Sequence, residues 1–427
     1  MSFRRMAGAA ALLTVVGPWA SLSAQDTPGQ AAAIGDPVAR GLTLDDAVRR
    51  TLAVAPHGAV AAARVDALTA SRTAAALKPS PSVEVMAENF GPPIGDVYDQ
   101  FQITGTYNQR FERGGKRDAR VALADREIDL VEAEHLVQRL DLIETVQRQF
   151  VRVQAAEAAI GLARRRLEIA QELQKEVARR VASARDPIFA GTRAETAVAQ
   201  AQVDLELAIH ERDAALGRLA ALWGGDPEGL AVSTAGFLDL TPRKGPFEPS
   251  PADLAIYEAR GARADAATDL ERANAARDPT VSAGPRIFGN GDVGLIAGVS
   301  IPLGGRRLAE ARVLQAQAER RRVDADLAVE RFNLSRAIDL AAERVEEARH
   351  EAEAIQDQVM PKAEQTLKEV RFGYNRGFFS FADVIAAQTT LVEAAERTVE
   401  AARRYHEALV ELDRLTGRYA NLAGEAL

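Results

Sequence analysis

Two hydrophobic periods alternate along the chain. Leu42-Thr-Leu-Asp-Asp-Ala-Val48 opens a helical pattern, with Thr43 placed as N-cap and Asp45 and Asp46 at the positive end of the helix. Pro56 is expected to kink this helix, and Lys78-Pro-Ser-Pro81 to stop it near Leu77. The period then falls from about 3.6 residues to about 2. Phe101, Ile103, Gly105 and Tyr107 point one way, while Gln100, Gln102, Thr104, Thr106 and Asn108 point the other. Val83, Val85 and Ala87 alternate more weakly with Glu84, Met86 and Glu88. With Gly91–Asp96 as the loop, the two runs predict a β-hairpin over about 82–111. A second hairpin over about 280–303 is predicted around Gly289-Asn-Gly291, with Val293, Leu295, Ala297, Val299 and Ile301 on one face.

After each hairpin the helical period returns for an unusually long stretch, Arg113 to Ala184 and Arg306 to Gly373, the second expected to kink at Pro361. Each long helix is followed by a turn (about 185–191 and about 374–381) and a shorter returning helix, 192–223 and 381–417. The two halves are copies. Lys175-Glu-Val through Leu222-Trp-Gly224 overlies Lys368-Glu-Val through Leu415-Thr-Gly417 without a gap, and Gly114-Gly-Lys-Arg117 matches Gly304-Gly-Arg-Arg307. A repeat of about 190 residues is too long for a solenoid unit, so it is a duplicated domain. The expected layout is a first repeat over 26–225, a Gly- and Pro-rich linker over 226–250, a second repeat over 251–420 and a C-terminal tail over 421–427.

Within each half, the two shorter helices together match the long one in length. This predicts a long helix lying against two short ones stacked end to end, with the hairpin at one end and the tight turn at the other. The fold class is mainly α with a small β part. Four strands cannot close a barrel, and open edges are not tolerated in lipid; three chains would supply twelve strands and close a tube.

Composition narrows the function. Only 5% of the residues are aromatic and 27% are charged, which suits long helices packed through small side chains. The net charge of −8 is spread with both signs interleaved, leaving no basic footprint for nucleic acid. The absence of cysteine excludes disulfides and Cys-based zinc sites. Arg4 and Arg5, the apolar run Ala7–Val16 and the small residues ending at Ala24 predict a secretory signal over 1–25. No later stretch has the ~20 apolar residues a spanning helix needs, so a place in a membrane would have to be as a β-barrel.

The whole mature chain resembles the TolC-like outer-membrane efflux family. Leu42–Val48 is similar to its N-terminal signature, and Arg371-Phe-Gly-Tyr-Asn-Arg-Gly377 with Phe381-Ala-Asp-Val-Ile-Ala-Ala-Gln388 to its second-turn signature. Gly114-Gly-Lys-Arg117 and the overall spacing are most similar to the cation-efflux branch, whose members partner heavy-metal resistance-nodulation-division pumps. The resemblance implies a homotrimer with a barrel in the outer membrane and a helical tunnel across the periplasm, closed at the two turns and docked on a periplasmic adaptor. The cargo it implies is heavy-metal cations or drugs; a type I secretion conduit for polypeptides is the alternative within the family.

The resemblance also implies a gate. Asp383 matches the first of two acidic positions ringing the constriction, and the second falls on Ala386. Tyr374 matches a tyrosine that holds the tip closed, but its arginine partner falls on Phe379; in the first repeat the acidic position falls on Ala190. Arg376 and Asp186 are the nearby charges that could substitute. Asp383 also has a reading as a helix cap and Tyr374 as a packing residue. Gly191, Gly377, Phe378 and Phe379 are the candidate adaptor contacts, and Phe101, Ile103 and Tyr107 the candidate lipid-facing positions. No metal site or cofactor is expected, because His57, His135, His210, His350 and His406 are scattered. No nucleophile–base pair or phosphate loop suggests an enzyme. A periplasmic adaptor or a coiled-coil scaffold would share the long helices but not the duplicated hairpins.

Overall fold

A computed structural model describes residues 41–89 and 101–424. The predicted signal, the start of the first repeat, the Gly91–Asp96 loop and residues 425–427 lie outside the described residues. Helix α1 (Leu44–Val54) is opened by Thr43, whose hydroxyl accepts from the Asp46 N–H while the Asp46 carboxylate reaches back to Thr43. At Pro56 the helix does not merely kink but restarts as α2 (His57–Ala75). Strand β1 (Ser82–Glu88), strand β2 (Gln102–Arg110) and helix α3 (Lys116–Ala182) follow. With 67 residues, α3 extends ~100 Å. It packs against α2, against the returning helix α4 (Ile188–Ala220), and against α5 (Pro251–Asn274) and α8 (Phe381–Leu415) of the second repeat.

The second repeat also contains β3 (Thr280–Phe288), β4 (Val293–Ser300), α6 (Arg306–Ala354) and α7 (Met360–Arg376). Where Pro361 was expected to kink the long helix, a π-helical segment, Ile355–Val359, joins α6 to α7. Proline has no N–H to give to the preceding turn, and the wider turn absorbs that loss. The linker carries no long element but is packed down. Phe237 is buried and stacks on His406, whose ring nitrogen meets the Phe237 carbonyl at 2.9 Å. Tyr405 donates to the Thr241 carbonyl at 2.6 Å. A short helix, α9 (Ala420–Gly424), runs into the C-terminal tail, and its Ala423 is fully buried against the core around Val48, Ile143 and Leu219.

The strands form one antiparallel sheet in the order β1-β2-β3-β4, so the two hairpins join through β2 and β3. The register places like with like. Val85 pairs with Gly105, Ala87 with Ile103, Ile103 with Ile287, Tyr107 with Ala283, and Val299 with Val281. One face of the sheet is therefore apolar across all four strands, and its large residues are exposed, Leu295 by 91%. The other face carries Glu84, Thr104, Thr106, Ser282 and Arg286.

Below the sheet, Gly114-Gly-Lys-Arg117 shows why that motif stands there. A Cβ on Gly114 would lie 2.5 Å from that of Ala276, so the β2–α3 exit can only pass the end of α5 as glycine. Lys116 Nζ donates to the buried Asp278 carboxylate at 2.8 Å, joined by Arg110 at 2.7 Å and by the Arg113 N–H at 3.1 Å. This buried cluster pins the first repeat to the second at the root of the sheet.

Candidate functional site at the paired helical turns

At the opposite end, the two turns are built on one backbone plan. After α3, the Ala184 N–H donates to the Val181 carbonyl and the Arg185 N–H to that of Arg180, at 3.0 and 2.8 Å. After α7, the Gly377 N–H donates to Tyr374 and the Phe378 N–H to Gly373, at 3.0 and 2.9 Å. These are Schellman closures, each needing one residue in the left-handed region. Gly377 (φ 83) meets that need without strain, whereas the first turn uses Ala184 (φ 55).

The first turn is shorter than the predicted 185–191, because α4 starts at Ile188, directly after Pro187. Proline cannot donate to a preceding turn but serves well at a helix start, so Gly191 lies inside α4 and not in the turn. Tyr374 and Arg376 likewise occupy the last turn of α7, leaving Gly377–Ser380 as the second connection.

Asp186, from the first turn, is where the two repeats meet. Arg180 Nε and Nη2 donate to its two oxygens at 2.8 and 3.0 Å, and the Tyr374 hydroxyl donates to the same carboxylate. The Arg180 guanidinium also donates to the Tyr374 carbonyl at 2.7 Å and lies 4.2 Å from the centre of its ring. Tyr374 is fully buried and tilted against Phe381, in a cluster with Leu173, Val177, Ala194, Leu367 and Val384. The Arg180 hydrogen bonds hold the Asp186 carboxyl below its ordinary range against the opposing effect of burial, with a further contribution from Tyr374. Burial, and then the bond to Asp186, raise the Tyr374 hydroxyl above its own ordinary value.

Of the two substitute charges, Asp186 enters this lock and Arg376 does not. The Arg376 guanidinium sits 4.0 Å from the Phe372 ring centre, and it forms no ion pair among the described residues. The residue that sequence reasoning missed is Arg180. It is one of two adjacent arginines near the end of α3, and nothing local marks it for a partner 194 residues away. Arg371 makes a second tie, reaching Glu172 at 3.3 Å and Glu176 at 3.8 Å on α3.

Asp383 is exposed and closes a capping box at the start of α8. It accepts from the Ser380 N–H at 2.8 Å and from the Ser380 hydroxyl at 2.7 Å, which lowers its pKa. Phe379 lies over Gly373, where a Cβ would come within 2.2 Å of its ring, and Phe378 is largely exposed. At the sheet, Ile103 and Tyr107 are exposed on the apolar face, Phe101 is half-buried just before β2, and Thr104 is buried on the other face, accepting from Arg286 Nε at 3.0 Å. Among the described residues no helix is long and apolar enough to cross a membrane, and no group of three or more His, Asp or Glu is placed to hold a metal.

A chain with duplicated helical hairpins, one antiparallel sheet and paired turns has the fold of an outer-membrane channel. The outer membrane protein VceC from Vibrio cholerae overlays with a TM-score of 0.65 at 20% identity, covering 88% of this chain and 96% of that one. The family model for outer membrane efflux proteins matches residues 47–225. The cobalt-zinc-cadmium resistance protein CzcC of Cupriavidus metallidurans is 28% identical over 323 residues, covering 74% of this chain and 77% of that protein. The nickel and cobalt resistance protein CnrC of the same organism is 30% identical over 292 residues, covering 64% and 67%. The chain belongs to the outer membrane efflux protein family.

Proposed function

We propose that three copies of this chain form an exit duct through the outer membrane, with most of each chain in the periplasm. Each copy gives four strands to a twelve-stranded barrel, and its helices form the tunnel below. The observation that carries this reading is the sheet. One face is apolar from β1 to β4, and both edge strands lack a partner among the described residues. In lipid an open edge leaves backbone groups unsatisfied, and closure with further copies satisfies them. The duct works with a periplasmic adaptor and an inner-membrane pump of the resistance-nodulation-division type, and passes cargo outward without chemistry of its own. The metal-resistance names of CzcC and CnrC favour heavy-metal cations as that cargo over drugs.

The repeat supplies the register of the joint between copies. Within the chain Arg110 of β2 pairs with Thr280 of β3. The matching positions at the edges are Ser300 of β4 and Ser80 ahead of β1. A chain carrying Ser300→Cys and Ser80→Cys, with no cysteine of its own, should oxidise to a covalent trimer resistant to SDS. Only monomers or random dimers on oxidation would refute the arrangement.

At the periplasmic end, Asp186 and Tyr374 form the lock that keeps each copy's two hairpins together and the tip closed. Asp383 rings the neck in three copies while it caps its own helix. Gly377, Phe378 and Phe379, with Gly191 on the neighbouring helix, form the adaptor-docking rim. Phe101, Ile103 and Tyr107 face lipid.

A further inference from the structure

Between strands and helices lie four junctions, and each presents an exposed cation whose side chain has no ion pair among the described residues. They are Lys78 between α2 and β1, Arg113 between β2 and α3, Arg277 between α5 and β3, and Arg307 in the first turn of α6. Other cations at this level already have acidic partners: Lys116 and Arg110 share Asp278, Arg120 has Glu112 and Arg306 has Glu310. One of the free ones is placed against the local electrostatics, while Lys78 and Arg277 follow the negative ends of α2 and α5. Arg307 sits at the positive end of a helix whose first turn contains no acid. Lys78 occupies the place in the first repeat that Asp278 occupies in the second, each followed by a proline and then a strand. Where the seam inside the chain is closed by an acid, the outer edge presents another cation.

Large apolar side chains stand beside these cations. Leu77, Phe111, Leu303 and Leu308 are all exposed, Leu303 by 80%, and Phe111 and Leu303 carry the alternation of β2 and β4 on toward the helices. At the far end of the hairpins the pattern ends. There the described residues include Glu88 and Asp292, and the one arginine, Arg286, is half-buried on the polar face beside Glu88 and Thr104. Among the described residues, exposed unpaired positive charge is thus confined to the end of the sheet from which the helices emerge.

We infer that the junctions form a collar for the phosphate headgroups of anionic phospholipid in the leaflet facing the helices. The apolar residues enter the acyl region while the lysine and arginine heads reach back to the phosphates. Each cation held near an anionic lipid surface is attracted to it, and four per copy are enough to select headgroups. The inference rests on the sheet lying in the outer membrane, and its test separates the two.

The full-length protein is reconstituted into vesicles of phosphatidylcholine, alone or mixed with phosphatidylglycerol, and the lipid retained on the re-extracted trimer is counted by native mass spectrometry. Wild type should retain phosphatidylglycerol over phosphatidylcholine by about tenfold relative to the vesicle. That enrichment should fall as salt is raised. The variant Lys78→Gln, Arg113→Gln, Arg277→Gln, Arg307→Gln should return to the vesicle ratio, while Arg165→Gln, Lys175→Gln, Arg179→Gln, Arg185→Gln, on the far part of α3 and the turn after it, should keep the enrichment. Should the junction variant fail to form trimers, Arg307→Gln alone should lower the enrichment measurably. Equal retention of both lipids by wild type, undiminished enrichment in the junction variants, or displacement of the lipid by inorganic phosphate overturns the collar. A protein that enters neither kind of vesicle overturns the membrane placement and the collar with it.

Discussion

The two helical turns share a backbone and differ in how they are stabilised. The second is self-sufficient. Gly377 takes the left-handed position without strain, and Ser380 with Asp383 caps the following helix. The first has an alanine in the left-handed position and no side-chain cap after Pro187. Its stabilisation comes from outside, through Asp186 bound to Arg180 and to Tyr374 of the other repeat. A duplicated turn freed from closing itself can use its acid to hold its twin. That is why the lock joins the repeats and does not sit within one of them.

Removing Asp186 should therefore have the largest effect. Asp186→Ala leaves a mostly buried guanidinium without its counter-charge and a buried hydroxyl without its acceptor, and should lower stability by about 3 kcal/mol in a urea melt while making the turns accessible to cysteine reagents. If the lock were an exposed pair of no consequence, the loss would stay below about 1 kcal/mol. The pH dependence has a definite sign. Asp186 titrates in the folded protein below the ~3.9 of an unfolded aspartate. Its stabilisation is thus fully present above the unfolded value and is lost as pH falls through the folded one. The turns should stay locked at neutral and mildly acid pH and open only in stronger acid, a pH dependence that should vanish in Asp186→Ala, whose turns are open throughout.

Tyr374→Phe keeps the packing and deletes one bond to a carboxylate, so it should cost about 2 kcal/mol, visible in the same melt. Asp383→Ala sharpens the contrast from the other side. As the N3 member of the capping box its loss should lower stability only slightly; as a member of a ring it should also reduce cation selectivity in planar-bilayer recordings. On the ring reading, with Ala386 at the second acidic position, block by divalent cations should be weak in wild type and absent in the variant. Unchanged selectivity with a destabilised trimer would leave capping as the whole role. The smallest effect should be a gain: Ala184→Gly relieves the left-handed alanine and should stabilise by up to about 1 kcal/mol, less the added freedom of the unfolded chain. Destabilisation instead would mean that the alanine methyl is held by contacts of its own.

Much of this molecule was legible in its residues. The strand faces follow from strict alternation in 101–108 and 293–301, and the cap at Thr43 from its position before an apolar run. The repeat was visible as an ungapped overlay, and with it the likeness of the two turns. Boundaries governed by proline were less legible. Pro187 starts α4 sooner than the glycine at 191 suggested, and Pro361 is met by a π-helical segment. Proline marks a lost hydrogen bond but does not say whether the chain will bend, restart or widen to absorb the loss.

By itself the sequence determined what is periodic and local: which stretches are helix or strand, which face of each strand is apolar, and that the whole plan occurs twice. Those properties depend on neighbours within a turn or two along the chain. The tertiary structure alone decided the partners. Arg180 was chosen over Arg376 for Asp186, Lys116 was matched to an aspartate 162 residues away, and the tail was folded back onto the core. A charge carries no record of its partner in its spacing. The pairing emerges only when packing brings two distant segments together, and burial then makes an unmatched charge too costly to keep.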